Sequence, residues 1–351
     1  LAVLERRRRD YLEVRDHVKR FVVVDVTRPV DQVASDVARI ISDNCGIPIQ
    51  AKSAAIAPAN QKCSRPFSAK PTVLVTDSSR GCAIAIIRSL GRMGWRVIAA
   101  DSSANSPGFR SRYSSKRLLY PVPERQPEEC IAAIRSCAQQ ERVDLIVAVS
   151  DAVILPLSAM RSQFEGVCKL ALPERDALEV ATDKRKTFEL AEQLGVPAPR
   201  TCVVETAREA CEQAEKLGWP VVLKPQVSRR YREHSAVDSF RVCYAENAAD
   251  LAERMKQFEG RCPVLLQEFI RGEGHGVELL MDRGKVLAAF QHHRLRELPV
   301  TGGPSAFRES VPLDPEMYAH SVRMLRELKW TGLAMVEFKV GADGPKLMEI
   351  N

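Results

Sequence analysis

The segment Met335-Val336-Glu337-Phe338-Lys339-Val340-Gly341-Ala342-Asp343-Gly344-Pro345-Lys346-Leu347-Met348-Glu349-Ile350-Asn351 alternates apolar and polar residues on both sides of a Gly/Asp turn. That is the pattern of a β-hairpin. With the turn centred on Asp343, Glu337 faces Glu349. Asn351 lies two residues further along the same face, because strand side chains alternate. Val336, Phe338, Val340, Met348 and Ile350 collect on the other face, a core face. Two carboxylates about 5 Å apart repel by about 3 kcal/mol at an effective dielectric of about 20, so a counter-charge is called for. Three oxygen ligands on one face suit Mg²⁺, a hard cation. Acids turned to water fit the same pattern, and the hairpin by itself leaves both readings open.

Working outward, 351 residues are too many for one small core and point to two or three domains. With 45% hydrophobic and 28% charged residues, the composition is that of an ordinary globular protein. No apolar run is long enough to span a bilayer, and the basic Arg6-Arg7-Arg8-Arg9 stretch is not followed by the apolar core of a signal peptide. The ten cysteines are scattered singly, without C-x-x-C or zinc spacing, which points to reduced thiols and a cytoplasmic setting. A net charge of +7 is too diffuse for a nucleic-acid surface, and no basic stripe with interleaved aromatics occurs.

Taken in order, residues 1–43 read as a helix, one buried strand (Phe21 to Asp25) and a second helix, too little to bury a core alone. Residues 44–70, rich in Ala, Ser, Pro and Lys, read as a linker. From Pro71 the pattern becomes βαβ: strand Thr72 to Thr76, turn Asp77 to Gly81, helix to Gly94, and strand Arg96 to Ala100 closed by Asp101. This admits a nicotinamide dehydrogenase with Asp101 on a ribose. The loop has one glycine where the dinucleotide fingerprint has three, which counts against it.

Two lysines stand out next. Lys184 opens a helix after Asp183. Lys224 ends the apolar strand Val221-Val222-Leu223, where an ammonium costs several kcal/mol unless it meets an anion. The buried strand Pro263 to Ile270 contains Gln267-Glu268-Phe269-Ile270 and runs into Arg271-Gly272-Glu273-Gly274-His275-Gly276, which reads as a flexible turn. His292-His293-Arg294-Leu295-Arg296-Glu297 then leads to Thr301-Gly302-Gly303-Pro304-Ser305, where glycine N–H groups and arginines suit an anion.

In this order the motifs resemble the ATP-grasp superfamily, in its carboxylate–amine ligase and carbamoyl-phosphate-synthase-like branch, over residues 71–351. The resemblance implies an α/β chain: a small parallel α/β pre-ATP-grasp domain at 71–180, then a two-lobed α+β ATP-grasp domain at 181–351, truncated at its C-terminus. It implies that Lys184 and Lys224 hold nucleotide phosphates. Gln267, Glu268, Phe269 and Ile270 would form the adenine hinge, and His275, or else Glu273, would touch the ribose. Glu337, Glu349 and Asn351 would hold Mg²⁺, or Mn²⁺. Arg294, Arg296 and Ser305 would hold the substrate or an acyl-phosphate. The segment after Lys224 lacks the glycine-rich phosphate loop of many members, so Ser228 and its neighbouring arginines would cover the phosphates instead. Residues 1–43 resemble the C-terminal end of a thymidylate-kinase-like domain, without a P-loop, which makes the chain a fusion.

The implied reaction moves the ATP γ-phosphoryl to a small-molecule carboxylate, giving ADP and an acyl-phosphate that an amine attacks. Neither nucleic acid nor membrane is an expected partner. A chain that stops within a motif is expected to be a piece of a longer protein, inactive alone. The alternative of a different class is an ATP-binding module without turnover.

Overall fold

The structure, a computed structural model, describes residues 70–227, 229–232, 235–240, 242–297 and 305–351. The expected N-terminal remnant 1–43, all but the last residue of the linker 44–70, and Ser228 lie outside the described residues. The chain divides into two compact units, Leu1–Pro66 and Phe67–Asn351.

The second unit begins with a parallel sheet. Strands β1 (Thr72–Val75), β2 (Arg96–Asp101), β3 (Ser114–Leu119), β4 (Leu145–Val147) and β5 (Lys169–Leu170) alternate with helices α1 (Gly81–Arg92), α2 (Pro127–Gln140) and α3 (Asp151–Ala159). The order is β3-β2-β1-β4-β5, parallel throughout, as βαβ crossovers require. Leu74 and Ile98 are fully buried against Ile131 and Ile134 of α2, and Val73 and Val97 against Ile87 of α1. The Asp101 carboxylate accepts the N–H groups of Ser79 (2.6 Å) and Ser103 (2.9 Å). Gly108 donates its N–H to the Ser78 carbonyl at 3.0 Å and lies so close that a Cβ there would sit 2.5 Å from Ser78. Asp101 therefore braces the β1–α1 turn, against which the turn Pro107–Arg110 packs through Gly108.

After α4 (Arg175–Thr182) and α5 (Lys184–Gln193) comes an antiparallel sheet, β10-β7-β11-β6. It consists of β6 (Thr201–Val204), β7 (Val221–Pro225), β10 (Cys243–Ala245) and β11 (Val264–Glu268), backed by α6 (Ala207–Leu217) and α7 (Ala248–Met255). The short hairpin β8 (Arg229–Arg232) and β9 (Ser235–Ser239) follows β7.

The last sheet, β14-β13-β12-β15-β16, is antiparallel: β12 (Glu273–Asp282), β13 (Lys285–Glu297), β14 (Ser305–Val311), β15 (Gly332–Gly341) and β16 (Gly344–Ile350), with α8 (Pro315–Glu327) inserted after β14. Its core face buries Val277, Leu279, Val336, Phe338, Leu347 and Ile350 against Met317, Met324 and Leu325 of α8 and alanines of α4 and α5. The α/β class expected from sequence, a parallel sheet followed by antiparallel ones, is borne out.

Two local expectations change. The Gly272–Gly276 stretch is not a turn: from Glu273 onward it is the first half of a ten-residue strand. The terminal hairpin turns through Ala342-Asp343 with Gly341 opposite Gly344, and a bulge between Glu337 and Phe338 restores the pairing of Glu337 with Glu349. The bulge pairs Phe338 with Leu347, so Leu347 takes the core place expected of Met348. Met348, still buried, turns its sulfur to Lys224, 4.0 Å from Nζ.

Candidate active site

The register of the last sheet lays side chains in rows, because directly paired residues share a face. One row runs Ser310, His292, Gly276, Glu337, Glu349 across all five strands; the next runs Arg308, Arg294, Gly274, Lys339, Lys346. The central strand contributes glycine to both rows, which opens a trough along β12. Neighbouring side chains fill it. A Cβ on Gly276 would lie 2.4 Å from His292 Cε1 and 3.0 Å from Met335 Sδ, and one on Gly274 would lie 2.9 Å from Arg294 Cδ. Gly276→Ala is therefore expected to destabilise the protein by about 1–3 kcal/mol, the usual cost of overpacking. His292 is 1% exposed and cannot swing clear. A denaturant midpoint equal to that of the wild type would refute this use of Gly276.

Across the trough Arg294 holds Glu337 in a bidentate pair: Nη1 donates to Oε1 at 2.7 Å, and Nη2 donates to Oε2. Arg294 also lies 3.6 Å from Glu297. Burial first, and then the Glu349 carboxylate opposite, push the Glu337 carboxyl up to about 7 against the pull of Arg294. Asn351 Nδ2 donates to Glu349 Oε1 at 3.1 Å, and the two backbone bonds between Met335 and Asn351 extend the pairing to the last residue.

Lys184, at the start of α5, and Lys224, near the end of β7, meet this face. Asp183 caps α5 by accepting from the N–H groups of Arg185 and Lys186. Its other oxygen accepts from Gln226 Nε2 at 2.7 Å, and Lys184 N–H donates to Gln226 O at 3.0 Å. The helix start is thereby stitched to the exit of β7, which brings Lys184 beside Lys224. Lys184 Nζ is 4.0 Å from Glu349 Oε2. Lys224 Nζ sits 5.7 Å over the Phe188 ring. Burial, with Lys184 adding to it and Glu349 opposing, lowers the Lys224 ammonium to about 8.

Strand β11 ends nearby. Gln267 is buried and donates to Thr201 Oγ1 at 2.8 Å. The Glu268 carboxylate is taken up by Arg200, from N–H at 3.0 Å and Nε at 2.6 Å, with Lys346 3.4 Å away. Burial alone would raise its pKa, but these donors outweigh burial and hold it below the usual carboxylate range. Phe269 packs edge-on against Tyr244, and Lys339 Nζ lies 5.7 Å over its ring. Ile270 follows, half-buried.

The structure thus brings together Lys184, Lys224, Glu337, Glu349, Asn351 and Arg294. It does not bring His275 to them. His275 pairs with Phe338 and His293, so its side chain belongs to the opposite face of the sheet. The positions of β12 that share a face with Glu337 are Gly274, Gly276 and Glu278, and the ribose contact expected of His275 is withdrawn on that ground. Arg296 is exposed on the irregular end of β13, and Ser305 Oγ donates to the Phe307 carbonyl at 3.3 Å at the start of β14. Neither lies in the Glu337 row.

Sequence reading missed the Glu278–His292 pair. His292 Nδ1 is 2.7 Å from Glu278 Oε1, while His292 Nε2 and Glu278 Oε2 are buried without partners among the described residues. Burial, then Arg308 and Arg294, lower His292 to about 4, and burial raises Glu278 to about 7. The signal was Gly276, read as turn chemistry although it makes room for an imidazole.

No family model matches the chain. Over 191 residues it is 26% identical to the carbamoyl phosphate synthase large chain of Xylella fastidiosa (strain 9a5c), a match covering 50% of this chain and 17% of that one. Over 245 residues it is 25% identical to the phosphoribosylamine–glycine ligase of Brucella melitensis biotype 1, covering 63% and 55%. Among solved structures it resembles the biotin carboxylase domain of Hydrogenobacter thermophilus 2-oxoglutarate carboxylase, determined with MgADP, ADP and bicarbonate. That likeness has a TM-score of 0.61 at 19% identity and covers 80% of this chain and 63% of that one. The chain therefore has the ATP-grasp fold that its motifs resemble. Its relatives by sequence lie in the carboxylate–amine ligase and carbamoyl-phosphate-synthase-like branch of that superfamily. The match spans only a part of each relative. Among the described residues no helix is long and apolar enough to cross a membrane.

Proposed function

We propose that this chain carries the ATP site of an ADP-forming ligase that activates a small-molecule carboxylate as an acyl-phosphate for attack by an amine. The observation that carries the reading is the convergence of Lys184 and Lys224, both buried, on the acidic face of the last sheet, with Lys184 4.0 Å from Glu349. A buried ammonium with weak partners, as at Lys224, is costly in the free protein and becomes favourable when a polyphosphate meets it.

Lys184 and Lys224 bind the phosphates, and the backbone of Glu268 to Ile270 receives the adenine. Arg200 and Lys346 hold the Glu268 carboxylate in place rather than leaving it to the base. Glu337, Glu349 and Asn351 fit a hard divalent cation, Mg²⁺ or Mn²⁺: they offer oxygen donors on one face, and a guanidinium already rests on Glu337. The metal ion, when bound, would neutralise charge on the transferring phosphoryl group. Arg294, released from Glu337, is placed to receive the carboxylate or the acyl-phosphate; Arg296, Ser305 and Ser228 are assigned to the substrate and lid segments around it. The chain does its work as a ligase within a longer, cytoplasmic protein, with residues 71–180 as the domain before the grasp, 181–351 as the grasp itself and a further domain fused N-terminally. Its partners are the carboxylate and the amine, without nucleic acid or membrane.

The contact between Arg294 and Glu337 also suits a second reading, a nucleotide-binding module locked against turnover. ADP release by the full-length protein with ATP, Mg²⁺ and a panel of carboxylates separates the two. Carboxylate-dependent ADP release is expected. Tight ATP binding without it would make the chain a binding module.

A further inference from the structure

The face of the last sheet turned away from Glu337 carries a cluster that the proposed chemistry leaves unused. Glu273 and His275, two residues apart on β12, share that face. His275 pairs across to His293 on β13, and His293 pairs across to Glu309 on β14. The two imidazoles stack with centroids 4.6 Å apart and planes within 11°. Glu273 Oε2 is 3.2 Å from His293 Nε2, and Glu309 Oε1 is 3.5 Å from His293 Nδ1. One ligand atom each from Glu273, His275 and His293 lies within 4.8 Å of the others. Directly opposed strand positions hold side chains at the spacing a chelate needs, and the backbone pairing fixes them before any ion arrives. Both rings are half-buried while Glu273 is exposed, which leaves an entry path. Ser310, Arg308, His292 and Arg294 occupy the reverse face, so these ligands are separate from the nucleotide site.

We propose that Glu273, His275 and His293, with Glu309 alongside, bind a zinc-type divalent cation that ties β12, β13 and β14 together. Two imidazoles with carboxylate suit Zn²⁺, Ni²⁺ or Cu²⁺ and disfavour Mg²⁺, whereas the oxygen-only set of Glu337, Glu349 and Asn351 has the reverse preference. Three protein ligands leave a fourth position to water. The site does not depend on the nucleotide reading, and it is testable without ATP.

The test is a Zn²⁺ titration of the full-length protein against a chromophoric chelator, in excess Mg²⁺ and without nucleotide, together with the visible spectrum of the Co²⁺ form. One equivalent is expected to bind, and His275→Ala and His293→Ala are each expected to weaken it by at least about 100-fold. Loss of a partner outside the ligand set already costs about 10–100-fold. Glu273→Gln, a near-isosteric change at an exposed position, is expected to weaken it by at least about 10-fold with the fold unchanged. Zn²⁺ binding that survives His293→Ala, or a Co²⁺ spectrum with thiolate charge-transfer bands, would assign the ion to cysteines such as exposed Cys82 and overturn the proposal. Failure to bind Zn²⁺ in excess Mg²⁺ would overturn it equally.

Discussion

Lys224→Met is expected to weaken ATP binding by about 100-fold or more and, in the same protein, to raise the stability of the ligand-free fold. The two effects have one cause. Lys224 sits at the end of β7 and is 9% exposed, and its ammonium finds a thioether at 4.0 Å and a ring face at 5.7 Å. Those are weak partners for a cation taken out of water. Burial lowers its pKa from 10.5 to about 8. The sign follows from proton counting. Between about pH 8 and 10.5 the unfolded chain holds the proton and the folded one has lost it, so stability rises with pH across that window. The rise amounts to about 3 kcal/mol, and it is stability missing at neutral pH. Methionine keeps the length of the side chain and removes the charge, so denaturant unfolding of the variant should give a higher midpoint near neutral pH and no further rise in alkali. On the proposed reading a polyphosphate would supply the missing counter-charge, so the same lysine would favour the nucleotide-bound state. Unchanged ATP affinity in Lys224→Met would show that the ammonium serves the fold and not the ligand.

How far the sequence discloses such a site depends on whether the signal is local. The terminal hairpin is local: alternation and a Gly/Asp turn are enough to set Glu337 against Glu349. Even there, the bulge that exchanges Leu347 for Met348 in the core leaves no mark in the alternation. Lys224 is legible because a charge at the end of an apolar strand breaks a rule. His275 illustrates the opposite case. In a strand, a slip of one residue moves a side chain to the other face, and a motif aligned on glycines carries no information about face. The Arg294–Glu337 pair lies beyond sequence reading altogether, because it needs the register of three strands and the gap left by Gly274. The glycines themselves were visible, but a glycine that turns the chain and one that makes room for a neighbour look the same in one dimension.

The Arg294–Glu337 pair leads to the second large effect. Arg294→Gln is expected to destabilise the Mg²⁺-free protein by about 3–5 kcal/mol, the cost of removing one partner from a buried ion pair. Both side chains are largely shielded, 9% and 16% exposed, and the change leaves Glu337 facing Glu349 without its guanidinium partner. If these carboxylates form a metal site, the cation can take over the role of the guanidinium. Mg²⁺ should then restore most of the lost stability, by about 2.7 kcal/mol when present at about 100 times its dissociation constant. The same Mg²⁺ should do less for the wild type, where it must first displace Arg294. In an Arg294→Gln, Glu349→Gln double variant the second ligand is gone, and the Mg²⁺ response should disappear. Thermal unfolding of the three proteins with and without Mg²⁺ reads these differences directly. A loss in Arg294→Gln that Mg²⁺ does not repair would mean that Glu337 serves the arginine alone, and that the acidic row is part of the architecture of the sheet and no ligand set. A loss that Mg²⁺ repairs makes Arg294 a resident stand-in for the metal. On the proposed ligase reading it would also give the chain a reason to keep the arginine close: the guanidinium displaced from Glu337 would remain beside the site where a carboxylate is to be phosphorylated.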